Sequence, residues 1–421
     1  MVKQFLIAFT CLISVGMYAQ NSTISPYSYF GIGDSREKGT VDNQMMGGLQ
    51  LYADSIHLNL KNPASLAKLR LTAYTAGISR KEYRLKDNLE EQRTSVSNLD
   101  YLAIAFPVAK NMGASFGLQP YSSVGYNLTQ VRRNSEQDSI VNIFNGEGGL
   151  NRVFVSFGYM PLKDVAIGAT INYNFGTIEY ARLQSVEGVQ FGTFDNRESR
   201  VDGWDFNYSI NYTPQIGDKH RLHTYFGANT QVNLVSKNTQ RIGSLNLTNG
   251  AEVEALDVNL DANGLANGEI KIPTVFTYGL GYGEERKWFV GAEYATQAMS
   301  EFENRFIAQQ NVGYQDATKI KVGGFFIPNY RALSNVFNRI TYRAGLRYEE
   351  TGLMIENKEI NDFGINFGLG VPLGGNFSNL NLGFELGRRG TRAAGLVEES
   401  YLNINVGLSL NDRWFIKRKI N

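Results

Sequence analysis

Apolar and polar residues alternate one for one along this chain, in segment after segment. Near the C-terminus, Leu402, Ile404, Val406, Leu408 and Leu410 interleave with Asn403, Asn405, Gly407 and Ser409. Before them, Leu380, Leu382, Phe384 and Leu386 alternate with Asn381, Gly383 and Glu385, and Phe363, Ile365, Phe367, Leu369 and Val371 with Gly364, Asn366, Gly368 and Gly370. Ile167, Ala169, Ile171, Tyr173 and Phe175 repeat the pattern against Gly168, Thr170, Asn172 and Asn174. A period of two places the two sets on opposite faces of a β-strand.

Alternation alone also suits a soluble sandwich. Two features favour a barrel that crosses a membrane. The segments run to about ten residues or more, the length that spans a bilayer as a tilted strand. Their connections also alternate in kind. Tight turns fall near Pro107–Met112, Met160–Asp164, Pro214–Arg221, Gly283–Lys287 and Pro372–Phe377, with a somewhat longer one at Pro328–Phe337. Between them stand longer polar stretches: Leu85–Asn98, Arg132–Glu147, Leu183–Arg200, Lys237–Ile270, Met299–Gln315, Gly352–Lys358 and Arg388–Ser400. Short inner turns and longer outer loops characterise outer-membrane barrels, so the expected fold is all-β. It is a transmembrane antiparallel β-barrel of about fourteen strands, with both termini and the short turns periplasmic.

The ends divide the chain further. Lys3, the apolar stretch Phe5–Val15 and the small residue Ala19 make residues 1–19 an expected signal peptide. Cys11, the single cysteine, falls inside it. Residues 20–69 lack the strand pattern and carry Pro26, Pro63 and the aromatic group Tyr27, Tyr29 and Phe30. They are expected to form an N-terminal plug in the lumen of a barrel spanning 70–411. Residues 412–421 form a basic tail. Trp204, Trp288 and Trp414 suit the interfacial girdle.

A charged lipid-facing side chain costs about 2–4 kcal/mol at mid-bilayer. In the expected strand Arg339–Glu349, Ile340, Tyr342, Ala344, Leu346 and Tyr348 must therefore face lipid. Arg339, Arg343 and Arg347 must face the lumen. These arginines either pair with carboxylates such as Glu385, Glu349, Asp34 or Asp42, or hold an anionic head group in their planar fork.

Catalysis finds little support. Of three histidines, His57 lies in the plug and His220 and His223 at an expected inner turn. No His/Cys cluster suggests a metal, Gly279–Gly283 precedes no helix that would make it a nucleotide loop, and a net charge of +1 does not suit nucleic acid. No cofactor is expected.

Asn62-Pro63-Ala64, followed by Ser65-Leu66-Ala67, resembles the Asn-Pro-Ala motif after the N-terminal hatch of FadL/TodX-type outer-membrane transporters. The strand count is similar to theirs. The opening Ser25-Pro26-Tyr27-Ser28 and the close from Trp414 to Lys419 resemble a Bacteroidetes branch of that family. The resemblance implies passive uptake of hydrophobic or amphipathic small molecules, such as long-chain fatty acids. It also implies that Pro120, between Gly117 and Gly125, marks a kink where the third strand opens the wall sideways. Proline cannot donate to a ladder, so a bulge or gap is expected there in any case. The alternative the resemblance leaves open is a barrel without cargo of its own, a scaffold or shuttle in a multiprotein outer-membrane machine. Expected partners are thus membrane lipid, an apolar small molecule, or other proteins.

Overall fold

The computed structural model describes residues 22–36, 39–133, 138–307, 311–332, 335–373 and 378–413. The expected signal peptide, the tail beyond Arg413 with Trp414, and much of the Pro372–Phe377 turn lie outside the described residues.

The wall is a closed antiparallel barrel of fourteen strands. They are β1 (Thr72–Lys86), β2 (Glu91–Ala109), β3 (Met112–Arg133), β4 (Ser139–Leu162), β5 (Val165–Val186) and β6 (Phe191–Tyr212). β7 comprises His220–Asn229 and Val232–Asn246, and β8 comprises Asn267–Ile272 and Val275–Glu284. β9 (Trp288–Gln297) and β10 (Val312–Tyr314 with Ala317–Phe326) follow. β11 (Thr341–Ile355), β12 (Lys358–Leu373), β13 (Ser378–Arg389) and β14 (Glu398–Asp412) complete the ring. Each strand pairs with its neighbours in sequence, and β14 closes on β1 from Thr72↔Asp412 to Lys86↔Glu398. Among the described residues, no helix is long and apolar enough to cross a membrane.

Burial follows the alternation. On β14, Asn403, Asn405, Ser409 and Asn411 are buried inside the ring, while Leu410 is 44% exposed on the outer face. Trp204, Phe206, Tyr208, Ile210 and Tyr212 of β6 form a similar exposed row. That row ends at Trp204, beyond which Asp202 and Arg200 take the outward positions. Trp204 therefore sits at the upper edge of the apolar band, well inside its strand.

The expected long loops turn out differently. Leu85–Asn98, Arg132–Glu147 and Leu183–Arg200 are largely strand, and Gly352–Lys358 reduces to a two-residue hairpin with positive φ at Glu356 and Asn357. β4 has 24 residues, about twice what a bilayer needs. Beyond the apolar band the outer face of the wall meets water, so its apolar row lapses while the hydrogen-bond ladder continues and inward residues such as Tyr83, Val96 and Phe194 stay buried. Arg80, Glu82 and Arg84 occupy the outward positions of β1 there. The 247–266 connection does leave the wall, and carries the short strand Glu252–Asp257 paired back on β7.

Candidate functional site

Residues 22–36 and 39–71 lie against the inward faces of strands on opposite sides of the ring. Val41, Met45, Met46, Leu49, Leu51, Leu58, Leu66 and Leu69 are all almost fully buried. Such side chains contribute about 1.5–3 kcal/mol each when buried. Inward glycines make room for the segment. A Cβ at Gly168 on β5 would meet the Ala64 nitrogen at 2.2 Å, and one at Gly158 on β4 the Pro63 carbonyl oxygen at 2.4 Å. Opposite, a Cβ at Gly345 on β11 would meet the Gly47 nitrogen at 2.1 Å, and one at Gly383 on β13 the Met45 sulfur at 2.0 Å.

Polar contacts fix the same register. Asn62 Nδ2 donates to the Gln50 carbonyl at 2.9 Å and to Asn211 Oδ1 at 3.1 Å. Its Oδ1 accepts from Ser209 Oγ at 3.0 Å, which in turn accepts from the Ala64 nitrogen at 2.9 Å. Pro63 opens the short 3-10 helix Pro63–Lys68, where its missing N–H costs nothing. Asn62, Pro63 and Ala64 thus lock the segment to β4, β5 and β6. On the far side Glu293 accepts from the Leu51 nitrogen at 2.8 Å, and Lys321 donates to Glu293 at 3.1 Å and to the Gly48 carbonyl at 2.9 Å.

The wall itself is interrupted at β3. Its ladder with β2 runs only from Ala109↔Met112 to Leu102↔Leu118. Beyond that, among the described residues, β3 pairs with β4 alone on the wall, with a register shift between Pro120 and Ser122. Gly117 lies inside the paired part; Pro120 and Gly125 lie beyond it. Tyr121 is the extra residue, turned inward beneath Arg152 at 4.1 Å. The free edge of β3 is occupied by the N-terminal segment. Asp34 and Ser35 pair with Ser123 and Ser122. The Arg36 nitrogen donates to the Tyr121 carbonyl at 2.9 Å, and the Gly125 nitrogen donates to Ser28 Oγ at 3.1 Å. Gly33 adopts φ +91°, and any Cβ there would sit 2.3 Å from the Ser123 carbonyl oxygen. On the other edge, Arg36 reaches Asp100 of β2 at 3.1 Å. The segment is therefore hydrogen-bonded to both lips of the gap. Tyr29 packs edge-on to Tyr126 behind it, in an apolar cluster with Leu150, Ile178, Tyr180 and Val201.

The three arginines have different fates. Arg339 ends a short 3-10 helix (Val336–Arg339) and is not on the strand, which begins at Thr341. Sequence alternation extends through residues 339 and 340, but the chain is still turning there. Arg343 and Arg347 do face inward. Arg347 is committed to carboxylates, with Glu385 at 2.7 Å and Asp362 at 3.0 Å, and also donates to Tyr401 Oη. Arg343 donates to Asn381 at 2.9 Å, while its buried Nε has no hydrogen-bond partner and no carboxylate lies within ion-pair distance among the described residues. His220 and His223 lie on β7 rather than in a turn, and His223 is buried. Among the described residues no group of three or more His, Cys, Asp or Glu is placed to hold a metal.

Two cavities flank the segment. One of about 390 Å³ lies at the end with the short turns, lined among others by Tyr52, Lys68, Asp164 and Phe289. The other, about 1130 Å³, lies at the opposite end among Tyr126, Tyr180, Arg197 and Leu260. They share no lining residue.

The family model described as BamG matches residues 1–421. The chain belongs to the BamG family. No functionally curated protein matches it by sequence. Among solved structures, it is similar to the toluene transporter TodX of Pseudomonas putida, with TM-score 0.57, 16% identity, and coverage of 90% of this chain and 99% of that one. The toluene transporter TbuX of Ralstonia pickettii gives 0.56 at 12% identity, over 92% and 99%. A FadL homologue of Pseudomonas aeruginosa gives 0.50 at 11% identity, over 89% and 97%. These identities make the likeness one of fold, and the fold of this BamG family member is of the FadL/TodX type.

Proposed function

We propose that this chain is an integral outer-membrane barrel whose lumen is closed by its own N-terminal segment, a plug, and which serves as a subunit of a multiprotein outer-membrane assembly. The observation that carries this is the way the segment is held. It is keyed into wall glycines on opposite sides of the ring and fills the β2–β3 gap as an added strand. A lumen filled by co-folded backbone offers no ready conduit, so what remains for function is the barrel's outer surface and the wall that rises above the bilayer. Membership of the BamG family over the whole chain accords with this.

A second reading is favoured by the interrupted ladder itself. In it, residues 27–36 leave the gap and an apolar or amphipathic molecule, such as a long-chain fatty acid, passes from lumen to bilayer beside Pro120. Arg343, which among the described residues has no carboxylate at ion-pair distance, would hold an anionic head group.

Native mass spectrometry of the detergent-extracted complex separates the two. Stoichiometric protein partners are expected; a barrel that flies alone with bound fatty acid would give the role to the second reading. A Ser35→Cys/Ser122→Cys disulfide sharpens the comparison, because cross-strand partners lie within bridging distance. Sealing the gap this way leaves the subunit role intact and abolishes lateral passage.

Orientation is tested independently. With the short turns periplasmic, a protease-cleavable tag at Asn249 is cut on intact cells, and one at Gly217 is cut only after the outer membrane is opened. The opposite pattern would invert the barrel.

A further inference from the structure

The cavity at the short-turn end is lined by four carboxylates, Asp54, Asp164, Glu284 and Glu285, and by four cations, Lys68, Arg70, Arg221 and Arg286. Its carboxylates are already engaged. Asp54 binds His57 Nδ1 at 2.6 Å, Asp164 meets Arg221 at 3.3 Å, and Glu284 meets Lys287 at 2.9 Å. Glu285 lies 4.0 Å from Arg221 and 3.9 Å from Arg286. Two cations remain. Arg70 donates only to the carbonyls of Ala67 and Leu69, at 3.4 and 3.1 Å. Lys68 makes no hydrogen bond or ion pair among the described residues, although it lines the cavity. Burial, and then the neighbouring Arg221, push its amine down to about 8.

A second group points into the same space. His223 is 6% exposed, and its Nδ1 is buried with no hydrogen-bond partner. Its ring packs against those of Tyr52, at 5.5 Å, and Phe289, at 5.2 Å, which also touch each other at 4.8 Å. Met160 and Trp288 complete the apolar part of the lining. Buried polar atoms are normally paired, so an orphaned ring nitrogen and an unpaired amine lining one cavity leave room for a polar ligand. The volume, about 390 Å³, falls within the range of small-molecule sites.

We propose that this cavity binds a small aromatic carboxylate. The carboxylate accepts from Lys68 Nζ and from His223 in the tautomer protonated at Nδ1, and the ring lies against Tyr52, Phe289 and Met160. The site is separate from the gap at Pro120, and it stands whichever way the lumen works.

The test uses the full chain in detergent, with phenylacetate and its neutral counterpart 2-phenylacetamide as probes in isothermal titration calorimetry. Phenylacetate binds the native protein and the Lys237→Gln control alike. Binding of phenylacetate weakens roughly tenfold or more in Lys68→Gln, as expected for loss of one charge-assisted contact. The amide binds the native protein more weakly than the acid by a similar factor. Equal affinity for acid and amide overturns the proposal, as does a folded Lys68→Gln that binds phenylacetate normally, or no binding of phenylacetate by the native protein at millimolar concentration. Should Lys68→Gln fail to fold, the acid–amide comparison on the native protein decides alone.

Discussion

Removing Ser22–Leu58 converts a closed barrel into an ion-conducting one. The outward apolar rows that insert the protein all lie on β1 to β14, so the shortened chain still reaches the membrane. What it loses is the Gly47 backbone against Gly345, the Met45 and Val41 side chains against Gly383 and Gly407, and the strand that fills the gap beside Ser122 and Ser123. The exposed inner surface is then small and polar, with Asn403, Asn405, Ser409 and Asn411 on β14 alone, and water replaces protein there. In planar bilayers the native protein stays silent and the deletion shows steady conductance. Equal conductance from the two would mean that the segment does not seal the lumen.

Asp205→Ala gives the largest loss of stability expected from a single change in the wall. Asp205 and Arg152 pair at 2.7 Å with side-chain exposures of 2% and 4%. Asn172 and Asn174 also donate to Asp205, at 2.7 and 2.6 Å, and Arg152 donates to Asn174 at 2.7 Å. Removing the carboxylate strands a buried guanidinium, which costs about 3–5 kcal/mol. Replacing both partners, as Arg152→Met/Asp205→Leu, leaves no orphan charge and costs less than the single change. Urea unfolding followed on heat-modifiable gels reads both. If the double variant is the weaker one, the charge pair is not what matters there. Arg152 also covers Tyr121, so the single change loosens the bulged stretch of β3 as well.

The wall was legible because lipid imposes a strict rule. One face must be apolar, and rows such as Leu402–Leu410 carry that rule openly. The same rule explains the principal misreading. Outside the bilayer nothing demands alternation, so Leu183–Arg200 reads as polar loop while it folds as strand. Arg339 was misplaced for a related reason: a polar residue in phase with Arg343 and Arg347 carries no mark of the turn it ends. The buried pairs Arg152–Asp205 and Lys321–Glu293 were illegible, since each joins residues on different strands that only the barrel brings together. Lys68 and His223 share that difficulty. They meet only because Lys68 ends a 3-10 helix fixed by Asn62 and Pro63, and no local pattern reports such a meeting.

The glycine-lined seat of the N-terminal segment bears on how the protein reaches its folded state. Met45 touches Gly368 and Gly383, more than three hundred residues further along the chain, and β1 meets β14 across a similar separation. Contacts so distant in sequence carry the greatest loop-closure cost and slow a folding reaction. The segment leaves that cost to neither set alone. Pro63, Ala64 and Leu66 lie against β3 to β5, and Met45 and Met46 against β10 to β13, so one short segment bridges strands that are far apart in the chain. The inner contacts that join the two ends of the wall are thus made by residues that never touch lipid.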